Sequence, residues 1–107
     1  PSDGHSLALC DALFAADAMI LRDVASRALT FESGSSEIDV AWRNLPHLGL
    51  WTRPGAPYLC IEPWAGFNDP IGFCGELEEK PGINVLAAGS EWTAAMTIAP
   101  RAVRQSR

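Results

Sequence analysis

Apolar and polar residues alternate with a period of two through most of this chain, and no long segment keeps a helical period. In "AMILRD" Met19 and Leu21 alternate with Ile20 and Arg22; in "ALTFE" Leu29 and Phe31 alternate with Thr30 and Glu32. In "SEIDVAW" Ile38, Val40 and Trp42 alternate with Glu37, Asp39 and Ala41. Such alternation marks strands with one buried face. With "HLGLWT", "PYLCIE", "INVLA" and "EWTAAMTIA" it predicts seven strands, near 18–22, 27–32, 37–42, 48–52, 58–62, 83–87 and 91–99. The last would place Trp92, Ala94, Met96 and Ile98 on one face. "SGSS" at 33–36 has hairpin-turn chemistry, and "LPH", "RPGAP", "KPG" and "AAGS" punctuate the rest. A short helical turn fits only within "SLALCDALFAADAMI", where Leu9, Leu13 and Ala16 recur at helical spacing. The expected class is all-β, a sandwich or part of one, in a single domain spanning 1–107.

One stretch breaks the regularity. "APYLCIEPWAGFNDP" begins as an apolar strand, then meets Glu62, Pro63 and Trp64. Alternation sends Tyr58, Cys60 and Glu62 to one face and Leu59 and Ile61 to the other. Pro63 fixes its own φ and biases Glu62 toward an extended conformation. From Pro63 to Gly82 the chain is rich in Gly, Pro and Asn yet holds Trp64 and Phe67, the mark of a binding loop rather than a disordered one. A carboxylate at the mouth of such a loop is placed to act as a base, because partial burial raises a carboxyl pKa toward the range useful for proton transfer. A solvated carboxylate at a strand end would have the same sequence.

Composition narrows the field. Hydrophobic residues are 48% and charged residues 20%, which suits a globular chain and not a disordered one. Thirteen acids against eight bases give a formal charge of −5, and the bases form only a sparse tail at Arg101, Arg104 and Arg107, so nucleic acid is not an expected partner. No apolar stretch is long enough to span a bilayer and the start does not resemble a signal peptide, so neither a membrane nor export is expected and the cytoplasm is the default compartment. Cys10, Cys60 and Cys74 are odd in number and lack His at ligand spacing, which argues for reduced thiols. The chain opens on Pro1 without a periodic start, as a piece of a longer chain would.

"HLGLWTRPGAPYLCIEPWAGFNDP" followed by "GELEEKPGINVLAAGSEWTAAMTI" resembles the aldose 1-epimerase (galactose mutarotase-like) family, in its LacX-like branch. The branch pattern appears here as "LGLW", "PGAP", "CIEPW", Gly66 and Asp69, and "LFAADAMIL" and "ASRALTFES" are similar to the segment upstream of it. The resemblance implies the C-terminal portion of a galactose mutarotase-like β-sandwich that interconverts α and β anomers of a free aldose. It implies Glu62 as general base, Asp17 and Asp69 as sugar-binding carboxylates, and no metal or organic cofactor. Trp64 and Phe67 offer flat faces for sugar C–H groups, although core packing would use the same residues. Family members are much longer than this chain, and their general acid is a histidine upstream of every segment matched here. His5 and His47 match no catalytic motif and read as structural or exposed. A chain this short leaves strand edges and apolar faces uncovered, so self-association or a missing N-terminal segment is expected. A non-catalytic carbohydrate-binding sandwich and an inactive fragment remain alternatives, and Arg43 and Arg53, each flanking a strand singly, make no phosphate cradle.

Overall fold

The computed structural model describes residues 4–102. It is all-β: β1 (Met19–Leu21), β2 (Ala28–Ser33), β3 (Ser36–Arg43), β4 (His47–Trp51), β5 (Cys60–Trp64) and β6 (Ala95–Ala102) form two antiparallel three-stranded sheets. One has the order β1-β4-β5 and the other β2-β3-β6, an arrangement consistent with a β-sandwich. Helix is confined to single 3-10 turns at Asp11–Phe14 and Leu77–Glu79. The first falls inside the segment expected to hold a helical turn. Among the described residues no helix is long and apolar enough to cross a membrane.

The two sheets meet over a small core of Phe14, Val40, Trp42, Leu48 and Leu50. Val40 and Trp42 come from β3 and Leu48 and Leu50 from β4, so each sheet's central strand supplies alternate residues to one apolar layer. The chain crosses between sheets three times, at 22–27, at 44–46 and through the long segment 65–94, and the first two crossings are short. Asp23 (φ 50°) and Asn44 (φ 61°) turn these crossings in the left-handed region, which Asp and Asn tolerate better than other non-glycine residues. The crossings are joined by Val24 N–H donating to the Pro46 carbonyl at 3.0 Å. Between them, β2 and β3 form the expected hairpin with Ser33 opposite Ser36 and Gly34 at φ 59°.

Three expected strands differ from the structure. The strand predicted at 58–62 lies at Cys60–Trp64, so Glu62 is its middle residue rather than its end. Pro63 does not stop it, because β5 is an edge strand, where a residue without an N–H is tolerated, and Pro100 likewise lies in edge strand β6. The segment 83–87 is not a strand. The Asn84 side chain holds the Ala65 carbonyl at 2.7 Å, and Val85 and Leu86 stand 72% and 56% exposed with no strand alongside to pair with. The strand predicted at 91–99 runs instead from Ala95 to Ala102, because its partner β3 ends at Arg43, opposite Ala95. Beyond that point Asn44 donates to the Thr93 carbonyl at 2.7 Å, and Trp92 and Ala94 lie outside the ladder.

The β2-β3-β6 sheet carries charge on its outer face. Arg101 bonds to both Glu37 and Asp39, and Thr30 donates to Asp39 at 2.7 Å. The hydrogen bond to Glu37 is the main cause that raises the Arg101 pKa above the ordinary arginine value. The inner face is less complete. Met96 and Ile98, opposite Trp42 and Val40, remain 41% and 62% exposed.

Candidate functional site

The outer face of the β1-β4-β5 sheet is set by the β4–β5 register. Trp51 lies opposite Cys60, Gly49 opposite Glu62, and His47 opposite Trp64. Leu48, Leu50 and Ile61 point into the core from the same strands, so alternation sends these six residues outward together. Their being on one face follows from one register, and a one-residue slip would send Glu62 inward.

Glu62 is the exposed member of the middle row. Its side chain makes no hydrogen bond or ion pair among the described residues. Opposite it, Gly49 has no side chain, and the space is taken by the Trp64 indole, which a Cβ at Gly49 would meet at 2.9 Å. Trp64 therefore packs across the sheet beside the carboxylate instead of standing free in a loop. Cys60, half-buried, completes this face of β5; Cys10 and Cys74 are exposed, and all three thiols are free.

His47, read from the sequence as structural or exposed, is structural. It is 4% exposed, and its Nδ1 accepts the Asp23 backbone N–H at 3.0 Å, which places the proton of the neutral ring on Nε2. The Asp23 carboxylate lies 3.9 Å from the same nitrogen. Phe67 stacks edge-on against the imidazole, with centroids 5.0 Å apart at 73°, and the Arg22 guanidinium sits 4.1 Å from the Phe67 ring centre. These groups line a polar cavity of about 290 Å³ together with Asn84. A broader and more open depression of about 560 Å³ runs along Pro63, Trp64 and Phe67. Glu62 lines neither cavity.

The expected loop starts one residue after Trp64 and is held by its own contacts. Phe67 lies against Gly82, whose φ of 81° and tight approach leave no room for a Cβ. Asn84 holds the Ala65 carbonyl, and Lys80 pairs with Asp69 at 2.9 Å. Asp69 is thus engaged by the loop's own lysine, with its side chain 67% exposed. Phe67 has one face under Arg22 and one edge on His47, so it anchors the loop.

Asp17 lies two residues ahead of Met19, the first residue of β1, which pairs with Leu50 one position along from the Ile20–Gly49–Glu62 row and on the far strand from Glu62. Its φ of 115° is outside the range comfortable for a side-chain-bearing residue, and its carboxylate accepts the adjacent Ala18 N–H at 2.7 Å. Strain of this kind, about 1 to 3 kcal/mol, concentrates where a side chain must be aimed. Glu62 and Trp64 are thus neighbours, Asp17 flanks their sheet, and Phe67 and Asp69 lie beyond its opposite end. One aromatic pair went unnoticed in the sequence: Trp51 and Tyr58, with ring centroids 6.1 Å apart. Both flank the "RPGAP" turn, and that spacing was the available signal.

Two curated relatives match this chain: Protein LacX of Lactococcus lactis subsp. lactis, in a plasmid and a chromosomal version. Each is 35% identical over 81 residues, covering 73% of this chain and 27% of the relative's own length. The chain is therefore LacX-like over a span of about a quarter of those proteins. No family model matches it, and no solved structure does.

Proposed function

We propose that this chain carries the base-bearing part of an aldose 1-epimerase-like site, with Glu62 as the base that takes the anomeric hydroxyl proton. The observation that supports it most is the placement of Glu62. It is an exposed carboxylate at the middle of edge strand β5, opposite a glycine and beside an indole laid across that glycine. An unpaired carboxylate can accept a proton, and the adjoining indole offers an apolar face to sugar C–H groups. The "CIEPW" motif that carries the family resemblance is β5 itself, and the LacX similarity points the same way.

In this reading Glu62 removes the proton from the anomeric oxygen as an acid delivers one to the ring oxygen. The ring opens to the aldehyde, the C1–C2 bond rotates, and closure on the other face reverses both transfers. Acid and base each contribute on the order of 10² to 10⁴ in rate. Asp17, just ahead of β1 in the same sheet, would hold a sugar hydroxyl.

A second reading, a carbohydrate-binding sandwich without turnover, is favoured by one observation. Of the two imidazoles, His47 is buried beneath Phe67 with Nδ1 occupied, and it does not share an open surface with Glu62. Polarimetry of freshly dissolved α-glucose and α-galactose, run beside calorimetric titration with the same sugars, separates the two. Binding with acceleration over the spontaneous rate supports the epimerase reading. Binding without acceleration supports the module.

A further inference from the structure

The polar cavity beside His47 has no part in the reading of Glu62, which does not line it. His47 is 4% exposed and its Nδ1 is taken by the Asp23 backbone N–H, so the neutral ring carries its proton on Nε2. That nitrogen has no partner among the described residues, yet it is not one of the fully enclosed polar atoms. A buried imidazole whose one N–H finds no acceptor in the protein leaves that donor open to the cavity it lines. Arg22 brings a second set of donors to the same space. Its guanidinium lies 4.1 Å from the Phe67 ring centre, and none of its N–H groups is claimed by a hydrogen bond or ion pair among the described residues. Phe67 also meets the imidazole edge-on at 5.0 Å, so one ring backs both donor groups.

We propose that this cavity binds a small monocarboxylate, held by the Arg22 guanidinium and the His47 Nε2–H. A planar guanidinium matches a carboxylate with two parallel hydrogen bonds, and the neutral imidazole adds a donor without adding charge. Charge decides between oxyanions. The Asp23 carboxylate, 82% exposed, stands 3.9 Å from the other nitrogen of the same imidazole, so the cavity offers one cation beside one anion. A phosphate dianion would bring two charges to that single guanidinium and feel the neighbouring carboxylate twice as strongly, whereas a monocarboxylate needs one cation only. The site draws on three pieces of chain. Arg22 follows β1, His47 opens β4, and Phe67 and Asn84 belong to the loop after β5, so a bound carboxylate ties that loop to the sheet.

The test is a heteronuclear NMR titration of the chain with sodium acetate and sodium lactate at constant ionic strength, beside sodium chloride and inorganic phosphate, repeated on Arg22→Met and His47→Asn. Methionine keeps an unbranched apolar stem over Phe67, and Arg22 is exposed and outside every strand, so its loss leaves the fold standing. Asparagine keeps an acceptor for the Asp23 N–H but places no donor at the Nε2 position. Saturable shifts of the Asp23, His47, Phe67 and Asn84 amide signals are expected with acetate and lactate, at an affinity about tenfold above that for phosphate and about tenfold lower in each variant. If His47→Asn unfolds, Arg22→Met alone decides. Shifts that chloride reproduces or that rise without saturation, or an affinity unchanged in Arg22→Met, overturn the site. Phosphate bound as tightly as acetate, or more tightly, overturns the monocarboxylate assignment. Each of these outcomes leaves the role of Glu62 untouched.

Discussion

The Trp64 indole lies across Gly49, so close that an added Cβ would meet it at 2.9 Å. Glycine at 49 is therefore what allows the ring to lie flat beside Glu62, and the two residues are coupled across β4 and β5. Gly49→Ala should displace the indole, lower stability by about 1 to 3 kcal/mol through overpacking, and weaken sugar binding. Thermal unfolding and sugar titration check it. Unchanged stability and binding would mean that the ring has other room to occupy.

The loop from Ala65 to Asn84 should depend on Phe67 far more than on its ion pair. Asp69 is largely exposed, so Asp69→Ala should cost less than about 1 kcal/mol. Phe67 contacts His47, Arg22 and Gly82 at once, and its half-buried ring should cost about 2 to 3 kcal/mol on change to alanine. Denaturant unfolding gives both values, and limited proteolysis should cut this loop faster in Phe67→Ala only. Equal effects would show that the ion pair holds the loop.

Four of the strands were legible in the sequence because a period of two is the direct imprint of a half-buried sheet: β1 to β4 all lie within a residue or two of their predicted spans. The strand β5 was shifted because Pro63 reads as a terminator unless the strand is known to lie at an edge, which is a property of the sheet and not of the segment. The run 83–87 failed for the converse reason. It has strand composition but no strand to pair with, and Asn84 turns its side chain to the Ala65 carbonyl. The site was legible where the motif itself is the structure, as in "CIEPW", which is β5. The structural role of His47 was one of the two readings open in the sequence, but its partners were not legible, since Asp23 and Phe67 lie 24 and 20 positions away and only the β1-β4-β5 arrangement and the folded loop bring them to it.

The uncovered inner face of β6 should make the chain associate. Its accessible surface of 8051 Å² exceeds the roughly 5,800 Å² that compact monomers of this mass present, and its radius of gyration of 16.6 Å exceeds the roughly 13 Å of a compact 100-residue domain. Met96 and Ile98 contribute apolar surface to that excess. Sedimentation should show species heavier than 11.5 kDa that bind a hydrophobic dye, and Ile98→Lys should reduce both. A compact, stable monomer that ignores the dye would contradict this.

The most direct measurement is the mutarotation rate of fresh α-glucose and α-galactose with Glu62→Gln against the unaltered protein, corrected for the spontaneous reaction. Glutamine keeps the size and a hydrogen-bonding oxygen but cannot take the anomeric proton at neutral pH. Because Glu62 is exposed and its side chain has no partner among the described residues, the substitution leaves packing intact. The account predicts a fall of about 10² to 10⁴ in kcat with sugar affinity and melting temperature nearly unchanged. An unaltered protein that accelerates mutarotation, with a Glu62→Gln variant that does so equally well, would contradict it.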